Sequence, residues 1–279
     1  MANPDFLQFF TFTPMKVALV TGASSGVGEA LAPRLAKAGY KVYGMSRRTV
    51  DLPGVTALPA DISDPAAVDS AIGKLLEETA GRLDVVAHCA GIGGGGPVEQ
   101  MPLDKARQIM DTNFWGSYHL CQTCLPALRK AEAGKLLLVG SIGGFMGIPF
   151  RSVYCASKAA LITLTDSLRL EVINSPLQVS CICPGDMATN SIATQFRMKP
   201  AEVHDLYRKA YQAADDGMAN NVDHGMSADV VAERMQKLLN KRSLKPRYII
   251  GPPVQRASTL AKRLLPARWW EKVLKSYYS

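Results

Sequence analysis

A tyrosine and a lysine stand four residues apart in a segment whose apolar spacing predicts a helix, Ser152–Ile173. Residues at this spacing share one face of a helix, so Tyr154 and Lys158 would present a phenol and an ammonium side by side. A free phenol has a pKa of about 10, and a nearby cation stabilises the phenolate. Such a pair could exchange protons with a bound molecule. The pair also arises by chance, so its meaning depends on its partners.

Two further polar residues precede this pair. Ser141 follows the buried run Lys135–Val139, and Asn113 lies within a segment that predicts one long helix, Asp104–Lys130. Ligands of parallel sheets bind at the carboxyl edge, where we expect both Ser141 and Tyr154. Each residue alone is more commonly structural, but together and in this order they indicate an active site.

A glycine-rich turn joins the first predicted strand, Lys16–Val20, to a predicted helix, Val27–Lys37. Glycines let the backbone turn tightly and let N–H groups approach a phosphate, which the helix N-terminus stabilises. The alternative for an isolated motif is a strand-to-helix turn without a ligand. The geometry fits a dinucleotide, and the turn reads Thr21-Gly22-Ala23-Ser24-Ser25-Gly26-Val27-Gly28.

Short apolar runs alternate with amphipathic stretches over most of the chain, and runs such as Leu136–Val139 are apolar on both faces. This alternation predicts an α/β fold, a doubly wound parallel sheet of seven strands with helices on both faces. The remaining predicted strands are Lys41–Met45, Val55–Pro59, Leu83–Cys89, Gln178–Cys183 and Arg247–Ile250, and the remaining predicted helices are Pro65–Glu78 and Ala228–Asn240.

The length of 279 residues suits one α/β domain with an appended segment. We expect an N-terminal leader or extension at 1–14, a main domain at 15–254 and a basic amphipathic extension at 255–279. Residues 186–225 have no clear period, and a gap of that length inside a domain usually forms a lid.

The positive charge lies at one end of the chain. Residues 241–279 hold ten Lys and Arg and one acid, which leaves 22 basic and 23 acidic residues in the first 240. A nucleic-acid partner is therefore not expected, because a basic stripe would have to cross the main domain. No apolar run approaches the roughly 20 residues of a membrane-spanning helix.

The six cysteines lie in apolar or helix-like segments rather than at the spacings of a disulfide framework. They are expected to be buried free thiols of a reducing compartment, which indicates the cytoplasm. Cys121 and Cys124 form a pair without the second pair of ligands that zinc requires, so no metal is expected.

With these residues in place, the sequence resembles the short-chain dehydrogenase/reductase family over roughly residues 16–250. The resemblance implies a Rossmann-type domain that interconverts a secondary alcohol and a ketone with a nicotinamide dinucleotide. The matching elements are Thr21-Gly-x-x-x-Gly26-x-Gly28, Asp61, Ala90-Gly91, Asn113, Ser141, Tyr154-x-x-x-Lys158 and Pro184-Gly185-x-x-x-Thr189.

The resemblance also implies a role for each matched residue. Tyr154 would be the general acid/base, and Lys158 would bind the nicotinamide ribose and lower the pKa of the phenol. Ser141 would hold the substrate oxygen, and Asn113 would support a proton relay through water. The other residues would bind the cofactor: Gly22, Ser24, Ser25, Gly26, Val27, Gly28, Ala90 and Gly91 along the pyrophosphate and ribose, Asp61 and Ile62 at the adenine, and Pro184, Gly185, Met187 and Thr189 at the nicotinamide.

One departure from the family pattern lies after the fourth strand. The family usually has Asn-Asn-Ala-Gly, whereas this chain has His88-Cys89-Ala90-Gly91. The small residues still allow close approach of a ribose, so the departure concerns local hydrogen bonding. We expect His88 to be a packed strand-end residue rather than a catalyst. Residues 93–96, four glycines, predict a flexible loop at the mouth of the site.

The end of the second strand indicates which dinucleotide binds. Relatives that prefer NAD place an acid there, whereas this strand ends in Ser46-Arg47-Arg48. Arginine pairs with a 2′-phosphate through charge-assisted hydrogen bonds, so NADP(H) is the expected cofactor. The alternative is a pair of solvated loop arginines.

The reaction and its partners leave alternatives open. The substrate would be a small-molecule carbonyl or alcohol. The lid offers many apolar side chains, which suit a largely apolar ligand but equally suit a lid that packs on its own domain. The segment Arg247–Tyr278 resembles extensions in hydroxysteroid and retinol dehydrogenase branches, which implies a hydroxysteroid-, retinoid- or 3-oxoacyl-like substrate. A non-catalytic NADP(H)-binding sensor or scaffold, and a lipid-surface binding protein, are the other two functions. Apolar residues on more than one face of the two long helices predict a homodimer or homotetramer, although an intrachain core would also explain them.

The basic extension predicts two short amphipathic helices on either side of Pro266. Their apolar residues include Trp269 and Trp270, and their other face is cationic. Such a segment could lie on an anionic membrane surface. The interpretation favoured from sequence is that both tryptophans pack over the domain or a neighbouring subunit while the cations face water.

Overall fold

The structure is a computed structural model that describes residues 15–188, 195–223 and 225–278, and the side chains within 219–223 and 276–278 are not part of that description. The predicted leader at 1–14 lies outside the described residues. The strands are β1 (Val17–Thr21), β2 (Lys41–Ser46), β3 (Val55–Pro59), β4 (Val85–His88), β5 (Gly94–Gly95), β6 (Lys135–Val139), β7 (Gln178–Pro184), β8 (Met187–Ala188), β9 (Phe196–Arg197), β10 (Met226–Ser227) and β11 (Arg247–Ile250).

Most of the α-helices lie between two strands along the chain. They are α1 (Gly26–Lys37), α2 (Pro65–Glu78), α3 (Leu103–Met110), α4 (Gly116–Leu128), α5 (Ser152–Glu171), α6 (Asp205–Asp223), α7 (Ala228–Leu239), α8 (Pro253–Leu264) and α9 (Ala267–Tyr278). Local chemistry sets some of their starts. The Asp64 carboxylate caps α2 by accepting from Ala66 N at 3.0 Å, and Pro65 occupies the first turn.

Seven parallel strands form the central sheet in the order β11-β7-β6-β4-β1-β2-β3. The strand order reverses between β1 and β4, and ligands of such sheets bind at that point. One face carries α2, α4 and α5 over a core that includes Leu120 and Leu161, and the other carries α1 and α7 over a core that includes Leu31 and Met235. The predicted α/β fold with a doubly wound seven-stranded sheet is confirmed.

The single long helix expected over 104–130 is wrong. The structure has α3, then a π-helical turn at Asp111–Trp115, then α4. Two packing constraints explain the break. A Cβ on Gly116 would lie 2.5 Å from the Ile62 carbonyl oxygen, so the chain needs glycine there. The turn also directs Asn113 into the interior, where it is fully buried.

The predicted lid has more regular structure than its sequence indicates. Residues 205–223 form the 19-residue helix α6, whose inward residues Tyr211 and Ala214 are buried. This apolar stripe is too narrow to produce a clear helical period in the sequence. The glycines at 93–96 were expected to be flexible, but three of them are buried and β5 pairs with β9 of the lid. A Cβ on Gly95 would lie 2.6 Å from the Phe150 carbonyl oxygen, so glycine lets β5 pass close to the segment that precedes α5.

The C-terminal extension forms the two expected helices, α8 and α9, separated at Pro266. Trp270 is buried, as expected, whereas Trp269 is 66% exposed on the single chain and does not pack over the domain. No helix within the described residues is long and apolar enough to cross a membrane.

Candidate active site

Ser141 and Tyr154 meet at the carboxyl end of β6. Ser141 caps a 3₁₀ turn at Ile142–Phe145, and its hydroxyl accepts from Gly143 N at 3.0 Å. A Cβ built on Gly143 would lie 3.4 Å from Ser141 Oγ and 3.5 Å from Tyr154 Cε1. The Ser141 hydroxyl and the Tyr154 ring therefore lie on either side of Gly143. Because glycine has no side chain, both face the same space beside it.

Lys158 lies one turn further along α5 and is buried. Its Nζ donates to the Val139 carbonyl at 2.9 Å, which holds the ammonium under the end of β6. Burial lowers the pKa of Lys158 to about 8. A Cβ on exposed Gly91 would lie 3.2 Å from Nζ, so the ammonium lies directly beside this glycine.

The Asn113 side chain also lies close to Gly91, and its amide group holds the neighbouring backbone in place. Its Oδ1 accepts from Ile92 N at 2.8 Å, and its Nδ2 donates to Ile92 O at 2.9 Å and to Ser157 Oγ at 3.0 Å. Asn113 thus ties the segment after Gly91 to α5. Its position beside Lys158 is as expected, but its side chain positions the site rather than facing open space.

The pKa of Tyr154 is raised from its ordinary value by burial of the hydroxyl. A hydrogen bond from Ser141 and the positive charge of Arg151 oppose the rise. The resemblance implies that Lys158 also lowers this pKa, and in the structure the Lys158 ammonium donates to the Val139 carbonyl. Arg151 is a second cation whose charge acts on the phenol.

Arg151 is a residue that the sequence analysis missed. It precedes α5 directly and is buried, with Nη1 donating to Gln195 Oε1 at 3.0 Å and Nη2 lying 3.9 Å from Asp215 Oδ1. Asp215 belongs to the lid helix α6 and also pairs with Arg197. The only local signal was the arginine three residues before Tyr154. Its carboxylate partner lies 64 positions away, and no sequence period connects the two.

The glycine-rich turn has the geometry of a phosphate cradle. Gly22 has φ +67°, and its Cβ would lie 2.8 Å from Ala90 N, so the turn packs directly on the end of β4. A Cβ on Gly28 would lie 2.4 Å from the Gly22 carbonyl oxygen. Ser25 is the N-cap of α1 but makes no side-chain cap bond, which leaves the first N–H groups of the helix for an anion. Ser24, Gly26 and Val27 complete the turn.

His88 is packed, as expected, and it connects this turn with the π-helical turn. Thr21 Oγ1 donates to His88 Nδ1 at 2.7 Å, and Nε2 donates to Ser117 Oγ at 2.6 Å, which in turn donates to Asn113 O at 2.7 Å. Thr21 Oγ1 also accepts from Ala90 N at 3.2 Å. Burial, and then the charge of Lys158, lower the pKa of His88 to about 3, which matches a neutral ring in this chain of bonds.

The end of β2 lies beside the glycine-rich turn. Ser46 is buried and its hydroxyl donates to the Arg48 carbonyl, which curls the loop. Arg47 and Arg48 are exposed, and neither takes part in an ion pair within the described ranges. The side chains stand where a 2′-phosphate of a dinucleotide would require cations.

The remaining residues predicted to contact the cofactor differ in how much of their side chain is available to it. Asp61 uses Oδ1 to accept from Ser63 N at 2.9 Å, and Ile62 is buried in the core with its carbonyl against Gly116. Ile62 therefore offers little side-chain surface to an adenine. Pro184 ends β7, Met187 packs beside the core that α1 and α7 cover, and Thr189 lies outside the described residues.

Gln255 of α8 is a second residue that the sequence analysis missed. Its Oε1 accepts from Asp186 N at 3.1 Å, and its Nε2 donates to Asp186 Oδ2 at 2.7 Å. A Cβ on Gly185 would lie 1.8 Å from Gln255 Oε1, so glycine is required for this contact. The extension is thereby fastened to the loop after β7. No local pattern indicates a bond across 69 positions.

These residues fit a dinucleotide. The cradle at Gly22 and Gly28 leaves no room for a Cβ, the N-terminus of α1 has free N–H groups, and the Lys158 ammonium lies under an open glycine. Such an arrangement binds a pyrophosphate and a ribose. Within the described part of the chain, no group of three His, Cys, Asp or Glu residues has the spacing of a metal site.

The comparisons with known proteins agree with this geometry. The family model for short chain dehydrogenases matches residues 16–200. The chain is 31% identical over 265 residues to a 3-ketodihydrosphingosine reductase of Bacteroides thetaiotaomicron, covering 95% of this chain and 98% of that one. It is 35% identical over 190 residues to human 17-beta-hydroxysteroid dehydrogenase type 1, covering 62% and 57%.

A solved structure agrees over nearly the whole chain. A short-chain dehydrogenase from Streptomyces avermitilis superposes with a TM-score of 0.79 at 26% identity, covering 94% of this chain and 99% of that one. The residues that the family model matches, 16–200, include the glycine-rich turn and the segment that carries Ser141, Tyr154 and Lys158. The chain belongs to the short-chain dehydrogenase/reductase family, a family of oxidoreductases.

Proposed function

We propose that the protein is an NADP(H)-dependent oxidoreductase that interconverts a secondary alcohol and a ketone on an apolar substrate. The observation that carries the proposal is the meeting of Ser141 and Tyr154 across Gly143, with Lys158 one turn along the same helix. The substrate class is supported by the names of two relatives, which specify a 3-ketodihydrosphingosine and a 17-beta-hydroxysteroid. Each name specifies a molecule that carries the keto or hydroxyl group this chemistry needs, and retinoid- and 3-oxoacyl-like carbonyl compounds belong to the proposed substrate class.

Tyr154 transfers the proton at the substrate oxygen, and Ser141 donates a second hydrogen bond to that oxygen. Because burial raises the pKa of Tyr154, the phenol keeps its proton at neutral pH. A protonated phenol suits reduction, in which an alkoxide forms and must be neutralised. NADPH, when bound, supplies the hydride for this direction.

The cofactor is held by residues of four segments. The glycine-rich turn and the N-terminus of α1 bind the pyrophosphate. Lys158 binds the nicotinamide ribose on the side where Gly91 lies. Arg47, together with Arg48 and Ser46, binds the 2′-phosphate. Asn113 positions this site by holding Ile92. Six free cysteines within the described residues support a reducing compartment, and we place the protein in the cytoplasm.

The test of the reaction is Tyr154→Phe, which keeps the ring and removes the hydroxyl. We expect turnover of apolar ketones to fall by at least about 100-fold while the affinity for NADPH is unchanged. The measurements are NADPH oxidation over a panel of steroid, retinoid and 3-oxoacyl ketones, and NADPH fluorescence for binding. A near-normal rate in this variant would contradict the assignment, and NADPH binding without turnover of any ketone by the wild type would favour a sensor.

The cofactor preference is tested by titrating NADPH and NADH. Charge-assisted hydrogen bonds from Arg47 to a 2′-phosphate predict at least about tenfold tighter binding of NADPH. Arg47→Ala should weaken NADPH and leave NADH unchanged, since NADH has no group at that position. Equal binding of the two dinucleotides, or an equal loss for both in the variant, would refute the preference.

A further inference from the structure

The helix α8 packs on the protein through its polar face. Gln255 is bonded to Asp186, and Ser258, Thr259 and Lys262 are partly buried on the same side. A surface helix of a globular protein normally turns its apolar stripe inward. Here the apolar residues of α8 face outward: Val254 is 78% exposed, Leu260 58% and Leu264 71%, and Leu265, which directly follows the helix, is 38% exposed.

The helix α9 extends this outward apolar surface. Trp270 is buried and Leu274 partly buried, so one side of α9 covers the protein. Trp269 and Val273, also four residues apart, are 66% and 48% exposed on the other side. We call the outward residues of both helices the tail apolar face: Val254, Leu260, Leu264, Leu265, Trp269 and Val273.

The segment that carries this face is rich in cations. Residues 253–275 contain one acid, Glu271, and no ion pair among the described residues includes a basic residue of this segment. Lys272 Nζ lies 5.9 Å from the ring centre of Trp269, so charge and aromatic surface are directly adjacent. The six basic residues are Arg256, Lys262, Arg263, Arg268, Lys272 and Lys275.

The charge decides between two occupants of the tail apolar face. A second copy of the chain, related by a two-fold axis, would bring two sets of the same cations together, which repel. An anionic lipid surface offers apolar depth for the leucines, an interface for tryptophan and counter-charge for the lysines and arginines. We propose that α8 and α9 dock this protein on an anionic membrane surface through the tail apolar face.

The docking surface lies next to the candidate active site. α8 packs against the 3₁₀ turn that begins after Ser141, and Gln255 is fastened to the loop after β7. A bilayer bound to the tail apolar face would therefore border the entrance to the site. The docking itself does not depend on the proposed reaction, since it is carried by exposure and charge in residues 253–275.

The test is co-sedimentation of the full chain with vesicles of phosphatidylcholine containing phosphatidylglycerol and with vesicles of phosphatidylcholine alone. We expect at least about tenfold tighter binding to the anionic vesicles, weakened by high salt. The fluorescence of the three tryptophans should shift to the blue in the wild type as the Trp269 ring leaves water, and the shift should be smaller in a Trp269→Phe variant. Equal binding to both vesicle types, or binding to neither, would overturn the proposal.

Matched variants separate this surface from general stickiness. Leu264→Glu and Trp269→Glu each place a carboxylate on the tail apolar face and should lower vesicle binding at least about tenfold. Leu103→Glu, at a leucine of α3 that is 63% exposed, should bind like the wild type. An equal loss in all three variants would contradict the proposal. So would a lipid-free oligomer that Leu264→Glu dissociates, because that result assigns the face to a second copy.

Discussion

At the scale of single residues, the protonation of Tyr154 depends on a charge that a neighbouring element holds in place. Burial raises its pKa, and the Ser141 hydroxyl and the Arg151 guanidinium moderate that rise. Arg151 is itself fixed by Gln195 and by Asp215 of α6. The helix α6 and Tyr154 are therefore linked through one buried guanidinium.

This link predicts a shift in pH dependence. Reduction requires protonated Tyr154 and is lost as the pH rises through its pKa, whereas oxidation requires the phenolate and appears over the same interval. Arg151→Gln removes a positive charge that lowers the pKa of Tyr154. The loss of reduction and the onset of oxidation should therefore both move to higher pH. The check is the pH profile of kcat in each direction. Arg151→Lys keeps the charge and should keep the profile; a shift of the same size in this control would refute the argument.

At the scale of elements, the turn between β1 and α1 depends on glycine for two separate reasons. Gly22 has φ +67°, where a side chain is strained, and its Cβ would meet Ala90 N at 2.8 Å. Gly28 has ordinary dihedral angles but would clash with the Gly22 carbonyl. The spacing of Gly22 and Gly28 in the sequence reflects both requirements, because the tight turn must pack against the end of β4 before α1 can begin.

Two glycine-to-alanine variants test the role of glycine in this turn, because they should change the free energy of unfolding in opposite directions. Gly22→Ala should lower the free energy of unfolding by at least about 1 kcal/mol, since it adds strain and a backbone clash. Gly73→Ala lies at an exposed position inside α2 with nothing within 4 Å of the new Cβ. It should raise the free energy of unfolding by about 0.5–1 kcal/mol. Urea denaturation measures both, and the same sign in the two variants would contradict this account.

At the scale of the whole molecule, α4 and α5 leave apolar surface outside the sheet. Leu120, Leu161 and Leu168 are buried in the core, as the alternative of an intrachain core requires. Trp115 is 57% and Leu170 70% exposed, and a surface groove of about 490 Å³ lies between the two helices. This surface supports the proposed pairing of two copies through these helices, which is separate from the tail apolar face.

Assembly is tested by light scattering at micromolar concentration. We expect the mass of a dimer or tetramer for the wild type. Leu170→Glu should lower the mass, because it places a carboxylate in the proposed interface. Leu206→Glu changes a leucine of α6 that is 74% exposed and should leave the mass unchanged. A monomeric wild type, or the same effect from both variants, would exclude this interface.

Local patterns in the sequence were sufficient for the sheet and for much of the site. The strands Val55–Pro59 and Lys135–Val139 and the helix Pro65–Glu78 have the bounds that their apolar periods predict. Burial on one or both faces imposes these periods on neighbouring residues, so they are visible without the fold. Ser141, Tyr154 and Lys158 were found in the same way, since each follows directly from a strand end or a helical spacing.

The tertiary structure decided what depends on contacts between distant segments. The π-helical turn at Asn113 arises from bonds to Ile92 and Ser157, and the charge beside Tyr154 is held by Asp215. The orientation of α8 is the clearest case. Its amphipathic pattern alone places the leucines inward, but the bonds from Gln255 to Asp186, 69 positions away, turn them outward. A helical period determines that two faces exist, and only packing determines which of them meets the protein.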